Sequence, residues 1–129
     1  MTIKHSLLER AENAYANAYA PYSNFRVGAA VLTKDGHVFT GCNVENISFG
    51  LTSCAERNAI FSAISQRGKI EIEAIAVVTE KDVGASPCGA CRQVIAEFGP
   101  KAHVYYRAHG QEQDTTMDQL LPSAFNDIS

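Results

Sequence analysis

A chain of 129 residues with 46% hydrophobic and 19% charged residues has the make-up of an ordinary globular protein and not of a disordered, collagen-like or fibrous one. Eleven Lys plus Arg against fourteen Asp plus Glu leave a net charge of −3 without a block of like charge, which counts against a nucleic-acid partner. The longest apolar run, Val27 to Leu32, is six residues, far below the ~18 that a membrane span requires.

The opening Met1-Thr2-Ile3-Lys4-His5 runs into Glu9, Arg10 and Glu12 without the apolar stretch of a secretory signal, so a cytoplasmic, reducing location is expected. Leu7, Leu8, Ala11, Ala14, Tyr15, Ala18 and Tyr19 recur at spacings of three and four, which predicts an amphipathic helix over residues 3 to 19, stopped before Pro21. After a Pro21-Tyr22-Ser23-Asn24 turn, Phe25 to Thr33 is strand-like, Asp35-Gly36 forms a hairpin turn, and Val38 to Val44 returns antiparallel. Ser53 with Glu56 three residues later has the form of a capping box, and a second helix begins at or beside Cys54 and runs until Gly68.

Ile72 to Thr79 reads as a strand and Gly84-Ala85-Ser86 as a loop, and Pro87 suits the first turn of a third helix ending at Phe98 before Gly99-Pro100. Ala102 to Arg107 completes a strand, helix, strand unit whose right-handed crossover makes the two strands parallel. The short link around His109-Gly110 allows only an antiparallel neighbour, near Gln113 to Met117. The expectation is one α/β domain over residues 1–129, a three-layer α/β/α sandwich with a mixed five-stranded sheet.

Cys54-Ala55-Glu56 and Pro87-Cys88-Gly89-Ala90-Cys91 each fall at a predicted helix start. In a reducing compartment such cysteines point to metal binding or redox chemistry before disulfides. A thiolate at a helix N-terminus is stabilised by the helix dipole and the free backbone N–H groups. Cys54, Cys88 and Cys91 would suit one Zn²⁺ at ~2.3 Å and leave the fourth tetrahedral position to water, the arrangement of a catalytic zinc. A fourth protein ligand from Cys42, His37, His103 or His109 would instead close the site as a structural one.

Glu56 stands two residues beyond Cys54, close enough to act on that water as general acid and base without ligating the metal. Two competing readings are a thiol–disulfide exchange motif at Cys88-Gly89-Ala90-Cys91 and a zinc-stabilised interaction module without chemistry. Cys42 reads as a small buried hydrophobe and Arg92 as a surface arginine.

Six motifs carry a resemblance over nearly the whole chain: Ala20-Pro21-Tyr22-Ser23, Phe25-x-Val27-Gly28-Ala29, Gly41-Cys42-Asn43-x-Glu45-Asn46, Cys54-Ala55-Glu56-Arg57, Pro87-Cys88-Gly89-Ala90-Cys91-Arg92-Gln93 and Leu120-Leu121-Pro122. Together they resemble the cytidine deaminase family in its small homotetrameric form. The resemblance implies one zinc per chain on Cys54, Cys88 and Cys91, Glu56 as the proton shuttle, and hydrolysis of cytidine and 2′-deoxycytidine to uridine and 2′-deoxyuridine plus ammonia for pyrimidine salvage.

It gives Arg57 the role of hydrogen-bonding the thiolates from behind the metal, and Asn43 and Glu45 the ribose hydroxyl. Phe25 would pack against the pyrimidine, the Ala55 backbone would meet the polar edge of the base, and Phe125 would reach into a neighbouring subunit's site. Phe49 departs from the pattern, standing where relatives often carry a tyrosine. A deaminase of a nucleoside antibiotic such as blasticidin S would share the zinc motifs, so the sugar side of the substrate rests on Asn43, Glu45 and the whole-chain likeness.

Overall fold

The computed structural model describes residues 2–126 and 128; Met1, Asp127 and Ser129, part of the expected 1–129 domain, lie outside the described residues. Helix α1 (Ile3–Ala14) is capped by Thr2, whose side-chain oxygen accepts from the His5 N–H at 3.0 Å. It ends five residues before the expected stop at residue 19, tightening into a 3₁₀ turn at Tyr15–Asn17. The apolar spacing beyond Ala14 is overridden by backbone pairing: the Tyr19 N–H donates to the Asn43 carbonyl at 3.0 Å, and the Glu45 N–H to the Tyr19 carbonyl at 2.8 Å. Tyr19 therefore runs extended beside the end of the first hairpin.

That hairpin comprises β1 (Val27–Thr33) and β2 (Val38–Cys42), with Gly36 at φ +92° in the turn, where a side chain would be strained. Helix α2 (Ala55–Arg67), strand β3 (Ile72–Thr79), helix α3 (Gly89–Phe98) and strand β4 (His103–Ala108) follow. Strand β5 (Gln111–Thr116) then leads directly into one helical turn, α4 (Met117–Leu120). The sheet order is β2-β1-β3-β4-β5, with β3 and β4 parallel and the other neighbours antiparallel, so the mixed five-stranded sheet is as expected.

Several boundaries move: β1 begins at Val27 and not Phe25, β2 ends at Cys42 and not Val44, and β4 runs one residue later than expected. The expected fifth strand at Gln113 to Met117 begins earlier, at Gln111, and Met117 opens α4 because its buried side chain joins the core under α3. Pro87 lies before the helix and not in its first turn, since Cys88 is the residue that caps α3.

Alternate residues of the central strands face opposite layers. On one side Leu7, Leu8 and Ala11 of α1 pack against Ala30, Ala74, Ala76 and Val78; on the other Ala59, Ile60, Ala63 and Ile95 of α2 and α3 pack against Ala29, Val31, Ile75 and Val104. The result is the α/β/α sandwich. No helix among the described residues is long and apolar enough to cross a membrane.

Gly41 sets the position of α2. A Cβ there would lie 2.4 Å from the Ala59 nitrogen and 2.7 Å from the Ala55 carbonyl oxygen, so the first turns of α2 rest directly on the β2 backbone. This contact fixes the start of α2 against the strand end that carries Asn43 and Glu45.

Candidate metal centre and adjoining cleft

Cys54 and Cys88 are the N-cap residues of α2 and α3, and neither side chain bonds to its own helix backbone. Both sulfurs are therefore free to face one another, and Cys91 in the first turn of α3 brings a third. The three sulfur atoms lie within 4.8 Å of one another. Tetrahedral thiolates at ~2.3 Å from a common zinc would stand ~3.8 Å apart, a spacing this cluster accommodates.

Among the described residues no histidine, carboxylate or fourth cysteine joins the cluster. His37 and His103 lie beside Asp35 and Asp114 instead, at 3.3 and 3.9 Å. The closed structural site built with a fourth ligand therefore finds no support in the geometry.

The surroundings favour negative sulfur. An Arg57 Nη donates to Cys54 Sγ at 3.2 Å, and Arg57 Nε, buried without a hydrogen-bond partner among the described residues, is a further donor on the same side chain. The Cys54 thiol is lowered to about 5, first by its hydrogen bond with Cys91 and then by Arg57, while Cys91, which shares that hydrogen bond, moves up. Three soft donors, two helix N-termini and a guanidinium make a set that fits a zinc ion.

Glu56 is only 5% exposed, and burial pushes its carboxyl up to about 6. The expected capping box is absent: the Ser53 hydroxyl bonds to Asn58 Oδ1 at 2.7 Å, and Glu56 turns inward. Asn58 Nδ2 in turn donates to the Cys42 carbonyl at 2.7 Å, tying the start of α2 to the end of β2. Sequence reading missed this residue; the signal was an asparagine in a helix interior, where it is a poor helix former without a specific partner.

Phe25, Asn43, Glu45, Cys54, Ala55, Glu56 and Cys88 line one cleft of about 370 Å³, a volume in the ~300–1,000 Å³ range of small-molecule sites. Asn43 spans its rim, accepting from the Val27 N–H at 2.9 Å and donating to the Phe25 carbonyl at 2.8 Å. Glu45 accepts from the Tyr22 N–H at 2.9 Å, the Ser23 N–H at 3.1 Å and the Ser23 hydroxyl. The Ser23 hydrogen bond is the first reason its carboxyl is held below the usual range.

Phe125 stands apart from this cleft, 69% exposed, with its carbonyl held by Gln93 Nε2 at 2.8 Å. Two expectations need correction. Cys42 is half-buried and outside the sulfur cluster, its thiol raised by burial. Arg92 is no solvated surface residue, because its guanidinium reaches the Pro87 carbonyl at 2.7 Å, the Leu120 carbonyl at 3.0 Å and the Ser86 hydroxyl at 2.9 Å. Three acceptors on two chain segments outcompete water there.

A family model described as the cytidine and deoxycytidylate deaminase zinc-binding region matches residues 1–107. The chain belongs to that deaminase family. It is similar to a cytidine deaminase of Halalkalibacterium halodurans, 48% identical over 124 residues, which are 95% of this chain and 93% of that one. The crystal structure of cytidine deaminase from Burkholderia pseudomallei is 52% identical with a TM-score of 0.86, covering 97% of this chain and 100% of that chain.

A blasticidin-S deaminase of Bacillus cereus is 33% identical over 104 residues, 74% of each chain. The deaminase family's zinc-binding region contains all three clustered cysteines, and these are the residues of this chain placed to hold one zinc ion.

Proposed function

We propose that the chain is a zinc-dependent hydrolase in the cytoplasm that converts cytidine and 2′-deoxycytidine to uridine and 2′-deoxyuridine with release of ammonia, serving pyrimidine salvage. The observation that carries this reading is the buried carboxylate of Glu56 beside the Cys54, Cys88 and Cys91 sulfurs in a nucleoside-sized cleft. Zinc bound by the three cysteines supplies Lewis acidity, which makes water a nucleophile near neutral pH.

The remaining work falls to the chain's own groups. The Glu56 carboxylate takes one proton from water as the water oxygen bonds to C4 of the cytosine ring, and delivers that proton to ring N3. It then moves the hydroxyl proton from the same oxygen to the exocyclic nitrogen, so that the C4–N bond breaks, ammonia leaves and C4 ends as a carbonyl. A carboxyl near pH 6 is suited to both transfers at neutral pH.

Phe25 supplies an apolar wall for the pyrimidine, and the Ala55 backbone meets its polar edge. Asn43 and Glu45 recognise a ribose hydroxyl, one offering an amide and the other a carboxylate, which favours a nucleoside over the free base. Arg57 draws negative charge from the thiolates, keeping the metal a stronger Lewis acid.

The active form in this reading is a homotetramer of single-domain chains with Phe125 completing a neighbour's cleft. Phe49, 74% exposed, shares a surface hollow with Ser23, Glu45 and Thr52 of the cleft, and with exposed Ile47 and Leu51 beside it in sequence this supports an interface close to the cleft mouth, because exposed apolar surface marks contact sites. Ammonia release by the zinc-loaded protein from cytidine, blasticidin S and free cytosine, compared side by side, tests the substrate. Turnover confined to the antibiotic would replace the cytidine reading, and a monomer in light scattering would remove the shared cleft.

A further inference from the structure

Of the three clustered cysteines, Cys91 is buried and Cys54 half-buried, whereas Cys88 is exposed. Cys88 also ends an irregular stretch between β3 and α3, so no regular element fixes the chain that leads into it. Arg92 holds the last residues of that stretch. Its backbone N–H donates to the Cys88 carbonyl at 2.9 Å, and its side chain bonds to the Pro87 carbonyl and the Ser86 hydroxyl.

The third side-chain bond runs to the Leu120 carbonyl at the end of α4. Ser86 and Pro87, the two residues before Cys88, are thereby tied to a distant segment through one planar fork. Arg92 forms no ion pair with a carboxylate among the described residues, so its donors are committed to these neutral acceptors. A guanidinium holds several such acceptors in fixed directions, which a lysine ammonium on a flexible stem does not.

We propose that Arg92 is a positioning residue that fixes the Cys88 sulfur for zinc by locking Ser86 and Pro87, the two residues before it, to the end of α4. This rests on the zinc reading of the three cysteines. The adjacent Gln93 bonds to Phe125 and not to the Cys88 segment, so it separates loosening of the C-terminal segment from loosening of the ligand.

The test is the rate at which a chromogenic chelator removes zinc from wild type, Arg92→Lys and Gln93→Ala, alongside thermal unfolding of the zinc-free proteins. Loss of a group that orients a metal ligand typically weakens metal binding ~10–100-fold, so Arg92→Lys should release zinc about ten times faster. Gln93→Ala should match wild type. At saturating zinc, kcat on cytidine should fall in Arg92→Lys with KM unchanged, because Arg92 does not line the cleft.

If the lysine variant does not fold, Arg92→Gln takes its place under the same criterion. Wild-type zinc release by a folded Arg92 variant, even with lowered thermal stability, would overturn the proposal. Wild-type protein that binds no zinc would overturn the metal assignment and this inference together.

Discussion

Replacing Gly41 with alanine would put a methyl group where α2 lies on β2. The new Cβ would stand 2.4 Å from the Ala59 nitrogen, 2.7 Å from the Ala55 oxygen and 2.9 Å from Ala59 Cα, all backbone atoms that no rotamer change relieves. Reaching an ordinary contact of 3.4 Å requires α2 and β2 to part by about 1 Å. Overpacking of this kind costs about 1–3 kcal/mol, which urea unfolding should register as a folded but weakened protein.

The kinetic loss should be disproportionate. Cys54 and Glu56 sit at the start of α2, and Asn43 and Glu45 follow β2, so the cleft's two halves separate whichever element yields. A misplacement of ~1 Å can cost ~10²-fold in rate, and kcat for cytidine should fall by that order. Gly99→Ala is the control: its Cβ would lie 2.8 Å from Ile72 Cβ and 2.9 Å from the Ile72 oxygen, at the far end of α3 and β3 from the cleft. It should lose comparable stability and keep kcat. Wild-type kcat in Gly41→Ala, or an equal loss in Gly99→Ala, would refute the reasoning.

Cys54→Ala, Cys88→Ala and Cys91→Ala should each lose zinc by elemental analysis, and Cys42→Ala should retain it. In zinc-free protein Arg57→Gln should raise the pH at which the Cys54 thiolate forms, followed by thiolate absorbance, because a donor and a positive charge are removed. Ser23→Ala removes the chief cause of the lowered Glu45 carboxyl, so the pH below which cytidine KM rises should move upward. Phe125→Ala should raise KM with little change in urea stability, since the ring is largely exposed.

The sheet, its one parallel pair and the two cysteine-bearing helix starts were legible because apolar periodicity and short connections leave few alternatives. What escaped the sequence depends on tertiary partners. Residues 15 to 19 carry helical spacing, yet Tyr19 gains two backbone bonds to the Asn43–Glu45 segment by running extended. Ser53 and Glu56 have the letters of a capping box, but Asn58 takes the serine and the core takes the glutamate. Arg92 reads as solvated until Leu120, 28 residues away, arrives beside it. Phe49 stays a departure from the family pattern, exposed against Tyr22 with ring centroids 6.0 Å apart.

The central claim, that Glu56 moves the protons of a zinc-dependent deamination, is tested most directly by comparing wild type with Glu56→Ala for uridine formed from cytidine, with zinc content measured on the same samples. The account predicts turnover by wild type, equal zinc in both proteins, and near-complete loss of uridine in the variant. Uridine formation by zinc-loaded Glu56→Ala at a rate close to wild type would contradict it.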